Sequence, residues 1–484
     1  TPTGPAPAAD AALTPAEHAL LLDLLRIPTV SPLEVGPDDP PGGLWRAGRR
    51  YAEAARALGA TVLRHAPPSR REVTAGPLPA PVAKALADPG FLAAQPSLLL
   101  RLGPELPRAA TVMCNVHLDT VAGYQPVGFD GRRFTGRGAV DAKGPAVALL
   151  AGVRAAVARE PAVGRTVAVL IQAVAGEEGG ALGTLGTRPL VAAGHVGRLN
   201  LFLEPTNGRL LTRTTAAATA RITVAGEDAV DDRPGHGHNA TVLLGFLAQH
   251  LAHALDSGRR PGAGTGPCVA GLHTGHLHNK VSGRGTLLVN LPYRDAAEGA
   301  RLTALLTDEL AAGLVAFRQR FGHTEEFART ARDAVALTRL SWDKRDLPTL
   351  DNADPWAEAL LGRAGARPWP ADEPPFTCDA LWLADHNDTF TGVLGPGSLA
   401  DNHAHAAGEF VDRADLDAFA ELIARTLVAF ARSRPPDTTS PPRQPPAART
   451  ATGPGPKPPN LPHPSPNLSP KPPNPPHPSP NSSP

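Results

Sequence analysis

The chain has 484 residues, long enough to bury a sizeable core and to form two or three domains. Its 47 Lys plus Arg against 46 Asp plus Glu leave a net charge of +1, and aromatics are 4% of residues, so neither charge nor base stacking points to nucleic acid or to a membrane surface. Cys114, Cys268 and Cys378 are odd in number and far apart, which excludes a disulfide framework or a zinc ribbon and leaves buried structural thiols as the reading. No apolar run reaches the length of a membrane helix. Thr1 to Ala12 shows no basic segment followed by an apolar core, so the expectation is a cytoplasmic protein.

In chain order, a Thr-Pro start and leucines at helical spacing predict a capped helix over Thr14 to Arg26. Leu44 to Leu58 reads as a second helix and Ala60 to Arg64 as a short strand. Residues 66–95 are Pro-rich and read as a surface excursion, with one helical turn near Val82 to Ala87. Strands follow at Ser97 to Leu102 and in the apolar run that begins at Val112. Gly144 to Arg159 fits a helix packed on a sheet, and Thr166 to Val174 and Leu199 to Leu203 are further buried strands. Strands alternating with helices imply a mostly parallel sheet with right-handed crossovers.

The character changes after Glu204. Strand patterns at Ala220 to Val224, Cys268 to Leu277 and Thr286 to Leu291, with helices over His238 to Ala254 and Asp295 to Arg320, suggest an inserted α+β module of two helices and about four strands. The boundaries are residues 13–210 and 342–433 for the two parts of the first domain and 211–341 for the insertion. The return carries a strand at Phe390 to Leu394 and a closing helix from Arg413 to Ala431. Residues 434–484 are Pro, Ser, Asn and Lys without core-forming residues, a disordered, polyproline-like tail.

The chemistry gathers where apolar strands end. The first ends in His117-Leu-Asp119, and a glycine-rich turn then leads to Asp141 with Lys143 behind it. His117 and Asp119 alternate along an extended segment, so both face one side. A histidine beside a carboxylate begins a metal site, although a lone His-x-Asp is weak and can be a strand followed by a polar loop. The second strand ends in Gly176-Glu177-Glu178-Gly-Gly180, the third in Glu204-Pro-Thr206. Far downstream come Gly395-Pro-Gly397 and His405 with Glu409. Three strands in succession ending in carboxylates or histidine is not the pattern of a solvated charge run.

These motifs resemble the co-catalytic zinc hydrolases that include acetylornithine deacetylase, succinyl-diaminopimelate desuccinylase, aminoacylase, glutamate carboxypeptidase and dipeptidases. The matching stretches are HLDTV at His117, GRGAVDAKG at Gly136, GEEGG at Gly176, EPT at Glu204, and GPG followed by AHAAGE at Ala404. The resemblance implies an α/β catalytic domain with an inserted lid or dimerisation domain, which would place a homodimer contact in the lid. It also implies two zinc ions, with cobalt or manganese as alternatives. His117, Asp141, Glu178, Glu204 and His405 correspond to the metal ligands, Asp141 bridging. Asp119 corresponds to the carboxylate behind His117 and Glu177 to the general base. The peptide between Asp141 and Ala142 corresponds to the family's cis bond. Asn279 and Arg294 resemble lid residues that contact substrate, Arg294 suiting a carboxylate. The family's lid histidine falls at Val230, which cannot donate a hydrogen bond; His236 or His238 is the substitute if there is one. His195, His273, His276, His278 and His403 read as solvated. The implied activity is cleavage of an N-acyl amino acid, with a carboxypeptidase or dipeptidase acting on short peptides as the alternative. A non-catalytic relative that binds a ligand is the reading of another class.

Overall fold

The computed structural model describes residues 10–35, 42–258 and 266–433, so the tail predicted from residue 434 and the opening residues 1–9 lie outside it. Six strands form the central sheet in the order Thr61–Ala66, Ser97–Leu102, Ala168–Val174, Thr111–His117, Leu199–Phe202, Phe390–Val393. The last four are parallel and the first two antiparallel, giving the mostly parallel sheet that the strand–helix alternation predicts. Those four strands are buried along their whole length, which is why they read as unbroken apolar runs. Parallel pairing also brings their carboxyl ends to one edge, and every predicted metal-ligating motif follows one of those ends.

On one face the helix Gly144–Arg159 packs along the closing helix Arg413–Arg432. Gly152 permits that approach, since a Cβ there would stand 2.7 Å from the carbonyl of Ala420. The first helix, Pro15–Arg26, starts with a complete capping box between Thr14 and Glu17, worth ~1 kcal/mol. Arg154 binds both oxygens of the same Glu17 at 2.9 and 3.0 Å and so ties this helix to the sheet layer.

The insertion is a four-stranded antiparallel sheet in the order Cys268–His273, Arg284–Tyr293, Ala216–Ala225, Thr338–Lys344. Helices Ala240–Ser257 and Ala296–Phe321 bury leucines against the alternating inner positions of its long strands. A third helix, Ala328–Leu337, and the strand Thr338–Lys344 had no element assigned from sequence. The helix buries little beyond Thr330, Ala331 and Ala334, and the strand is nowhere fully buried, so neither carries a clear apolar signal. That strand runs past residue 341.

The Pro-rich segment 66–95 is more than a surface excursion. Val73, Val82, Leu86 and Phe91 form a small core with Ala181 and Leu185, just beyond the Glu177-Glu178 loop. Arg188 donates to the carbonyls of Val73 and Pro77 and lies over the Trp382 ring, 5.0 Å from its centroid.

Candidate active site

His117 closes the strand Thr111–His117, locked when Leu118 N–H donates to Val174 C=O across the parallel pair. Its Nδ1 donates to the backbone carbonyl of Asp119 at 2.8 Å, because a carbonyl can only accept. Nε2 is thereby turned to Asp141, 2.8 Å from Oδ1. The Asp119 side chain lies 3.7 Å from the ring, and its Oδ2 accepts the backbone N–H of Glu178 at 3.1 Å. In this geometry the carboxylate steadies the Glu177-Glu178 loop, and the backbone orients the imidazole.

Asp141 sits on the glycine turn. Gly138 there has φ +88°, a conformation glycine adopts without cost, and the Asp141–Ala142 peptide is cis, as the resemblance implies. Four donors hold the turn to one carboxylate. Glu409 accepts the N–H groups of Gly138, Val140 and Asp141 at 3.1, 3.1 and 3.3 Å and the Arg137 guanidinium at 2.7 Å. Gln125 fixes the other side of that contact, accepting from Gly408 and Glu409 N–H at 2.6 and 3.2 Å and donating to Ala406 C=O at 2.6 Å. The Lys143 amine is buried and donates to Ile27 C=O at 3.0 Å; burial pulls its pKa down to about 7.

His405 reaches the second oxygen of Asp141, Nε2 to Oδ2 at 3.0 Å. Glu178 Oε1 approaches the same nitrogen at 3.2 Å without hydrogen-bond alignment. Asp141 therefore stands between two imidazoles, and His117, Asp141 and Glu178 bring one ligand atom each within 4.8 Å of one another. Glu204 is buried beside them. Burial first, then the nearby Asp141, Asp379 and Glu178 charges, push its pKa well up against the pull of His117. Burial also raises Glu177, with Glu178, Asp379 and Glu204 adding to it, and lifts Glu178 to about 7. The Asp141 and Glu178 contacts take His405 to about 10. So many acids gathered in a buried space must either take up protons or be joined by positive charge, and the N/O donor set suits zinc or a similar divalent ion.

Sequence reasoning missed Asp379. It is fully buried, accepts from Thr187 Oγ1 at 2.6 Å, and packs on Gly183 where a Cβ would stand 2.5 Å from its carboxylate. Thr187 in turn accepts from Asn115, which also binds Gln172, so a polar thread crosses the sheet face under the Glu177 loop. Asp379 opens the run Asp-Ala-Leu-Trp-Leu, a position indistinguishable from a helix cap in sequence. Among the described residues, Asn279 lies exposed in the turn before Lys280, and Arg294 lines a cavity with Arg213 that no member of the cluster lines. Val230 is 58% exposed. His238 is engaged inside the insertion, accepting Glu227 N–H on Nδ1 and facing Asp333 at 3.3 Å; His236 is exposed.

Imidazoles and carboxylates converging at the carboxyl ends of a parallel sheet define a metal-dependent hydrolase. The chain belongs to Peptidase family M20/M25/M40, whose sequence profile matches residues 113–429. A curated relative described as a LysW-lysine/LysW-ornithine hydrolase, from Aeropyrum pernix, is 28% identical over 196 residues. That match covers 40% of this chain and spans about half of the relative, 51%. Among solved structures, a tripeptidase from Staphylococcus aureus is similar with a TM-score of 0.61 at 13% identity, over 88% of this chain and 100% of that one. A di-peptidase from Saccharomyces cerevisiae gives 0.60 at 14%, over 87% and 96%. A metallo-carboxypeptidase from Sulfolobus solfataricus gives 0.60 at 11%, over 87% and 100%. These likenesses show the fold. No helix among the described residues is long and apolar enough to cross a membrane.

Proposed function

We propose that this hydrolase cleaves the amide bond of an N-acyl amino acid, releasing the free amine. The observation that carries the reading is Asp141 held between His117 and His405, with Glu177 and Glu178 on the adjoining loop. His117, Asp141, Glu178, Glu204 and His405 would hold two zinc ions, with cobalt or manganese as alternatives. When bound, the metal supplies Lewis acidity for the substrate carbonyl and lowers the pKa of water. Glu177 takes the proton of the attacking water and delivers it to the departing nitrogen, a role its place on the loop beside Glu178 favours. Asp119 holds the backbone of Glu178 and so fixes the direction of Glu177. Asn279 and Arg294 are proposed to meet the substrate from the lid, Arg294 through its carboxylate.

The curated relative's printed name, a LysW-lysine/LysW-ornithine hydrolase, supports an amino acid joined through an amide as substrate, with a carboxypeptidase or dipeptidase as the alternative. Val230, exposed and unable to hydrogen-bond, is the observation behind a non-catalytic relative. The outer lid strand Cys268–His273 is an exposed edge carrying Val269 and Leu272, which supports a homodimer formed through the lid. Free thiols at Cys114, Cys268 and Cys378 suit a cytoplasmic setting.

The test is amine release from N-acetyl and N-succinyl amino acids and dipeptides, with zinc or cobalt, by wild type and Glu177→Ala, each with measured metal content. Turnover lost by ~10²–10⁴ with metal retained supports the reading. Equal turnover in the variant, or none in wild type with metal bound, overturns it.

A further inference from the structure

Behind the loops that carry Glu204 and lead to His405 lies a cavity of about 530 Å³, and none of the cluster residues lines it. One wall is the helix Arg413–Arg432, which turns Asp415, Phe419 and Leu422 inward at helical spacing. The opposite wall holds Arg367, Asn207 and Gly397. Of two further arginines at its rim, Arg209 pairs with Glu373 at 2.7 Å, and Arg425 shares Glu421 with Arg159, each at 2.7 Å. Two charges remain. Arg367 donates one bond to Asn207 C=O at 3.1 Å and has no carboxylate partner among the described residues. Asp415 has no cation partner among them; the charge that acts on it is the like charge of Asp412.

A guanidinium and a carboxylate without counter-charges among the described residues, beside the edges of Phe419 and Leu422, fit a molecule with the reverse charges and a small apolar body. We propose that this cavity is a second binding site, taking a free α-amino acid with its carboxylate on Arg367, its ammonium on Asp415 and its side chain over Phe419 and Leu422. The volume lies within the range of small-molecule sites. Its roof is shared with the active site. Asn207 N–H donates to Gly397 C=O at 2.7 Å and Gly208 N–H to Gly395 C=O at 2.9 Å, zipping the Glu204 loop to the Gly395–Gly397 turn. Gly397, at φ +64°, has room for no side chain: a Cβ would stand 2.8 Å from Val140 and from Asn402. An occupant therefore presses on a segment in contact with the carriers of Glu204, Asp141 and His405. Binding at this site does not rest on the amide-cleaving activity. If that activity holds, the occupant belongs to the class of its product.

The experiment is calorimetric titration of the zinc-loaded full chain with free leucine, lysine and glutamate, and with N-acetyl-leucine and leucine amide as probes lacking one charge each. Wild type is expected to bind at least one free amino acid. Asp415→Asn and Arg367→Ala should each weaken that binding about tenfold or more, as loss of a charge-assisted contact does, with the unfolding temperature unchanged. Both single-charge probes should bind at least tenfold more weakly than the free amino acid. No binding by wild type, or binding that both variants retain in full, overturns the proposal; the second result places the ligand elsewhere.

Discussion

Removing the Glu409 carboxylate tests how Asp141 is held between His117 and His405. Glu409 is 1% exposed and accepts four hydrogen bonds, two on each oxygen. In Glu409→Ala, three buried backbone N–H groups lose their acceptor, at ~1–3 kcal/mol each before relaxation. The Arg137 guanidinium, with its side chain 11% exposed, loses its counter-charge as well. Removing one partner of a buried pair costs ~3–5 kcal/mol, and these losses overlap because one loop relaxes to relieve them all. The expected loss of stability is therefore about 3–5 kcal/mol. Glu409→Gln keeps one oxygen for Val140 and Asp141 but turns an NH₂ toward Gly138 and Arg137, so it should recover less than half. Urea unfolding of the metal-free proteins reads the stability, and competition with a zinc chelator reads the metal affinity. A loss under ~1 kcal/mol for the alanine variant, or undiminished zinc affinity beside a full loss of stability, would refute the idea that this carboxylate positions Asp141.

Three other perturbations follow from the same structure. Gly183→Ala places a methyl 2.5 Å from the Asp379 carboxylate at φ +65°, and should destabilise by ~1–3 kcal/mol in thermal unfolding; a neutral result would mean that the Glu177 loop is not fixed by this contact. Glu72 is held at about 2 by its hydrogen bonds to Arg64, below its ordinary 4.5, so the pair stabilises above pH 4.5 and fades as pH falls toward 2. The stability difference between wild type and Arg64→Met should shrink over that window, and a pH-independent difference would contradict it. Chelation should lower the unfolding temperature: zinc at 100 times its dissociation constant adds ~2.7 kcal/mol, and equal temperatures with and without chelator would argue against a site at His117, Asp141 and Glu178.

The central sheet and the cluster were legible because burial on both faces removes polar residues from the strands, so a histidine or carboxylate at each end stands out. Thr111–His117 and Ala168–Val174 are of this kind. The strand Thr338–Lys344 was not, since its positions are half-buried or exposed. The supporting shell was also hidden. Asp379 meets the Glu177 loop from 192 residues beyond Thr187, and Glu409 meets Gly138 from 271 residues away. Neither spacing has a local period. The anchoring of residues 66–95 depends on Arg188, whose partners are backbone carbonyls, which leave no mark in sequence.

Asp141 and His405, whose side chains meet at 3.0 Å, are 264 residues apart in the chain. At typical synthesis rates of about 5–20 residues per second, the ribosome needs on the order of 10–50 s to travel from one to the other. From the synthesis of Glu204 until that of His405, the nascent chain carries His117, Asp141, Glu178 and Glu204 without the imidazole that meets Asp141 or the Glu409 that braces the turn. A prematurely ended product would keep a sheet rich in exposed acids and lack the full set of donors. On the proposed ligand set, full metal affinity arrives last and reports that translation has passed His405.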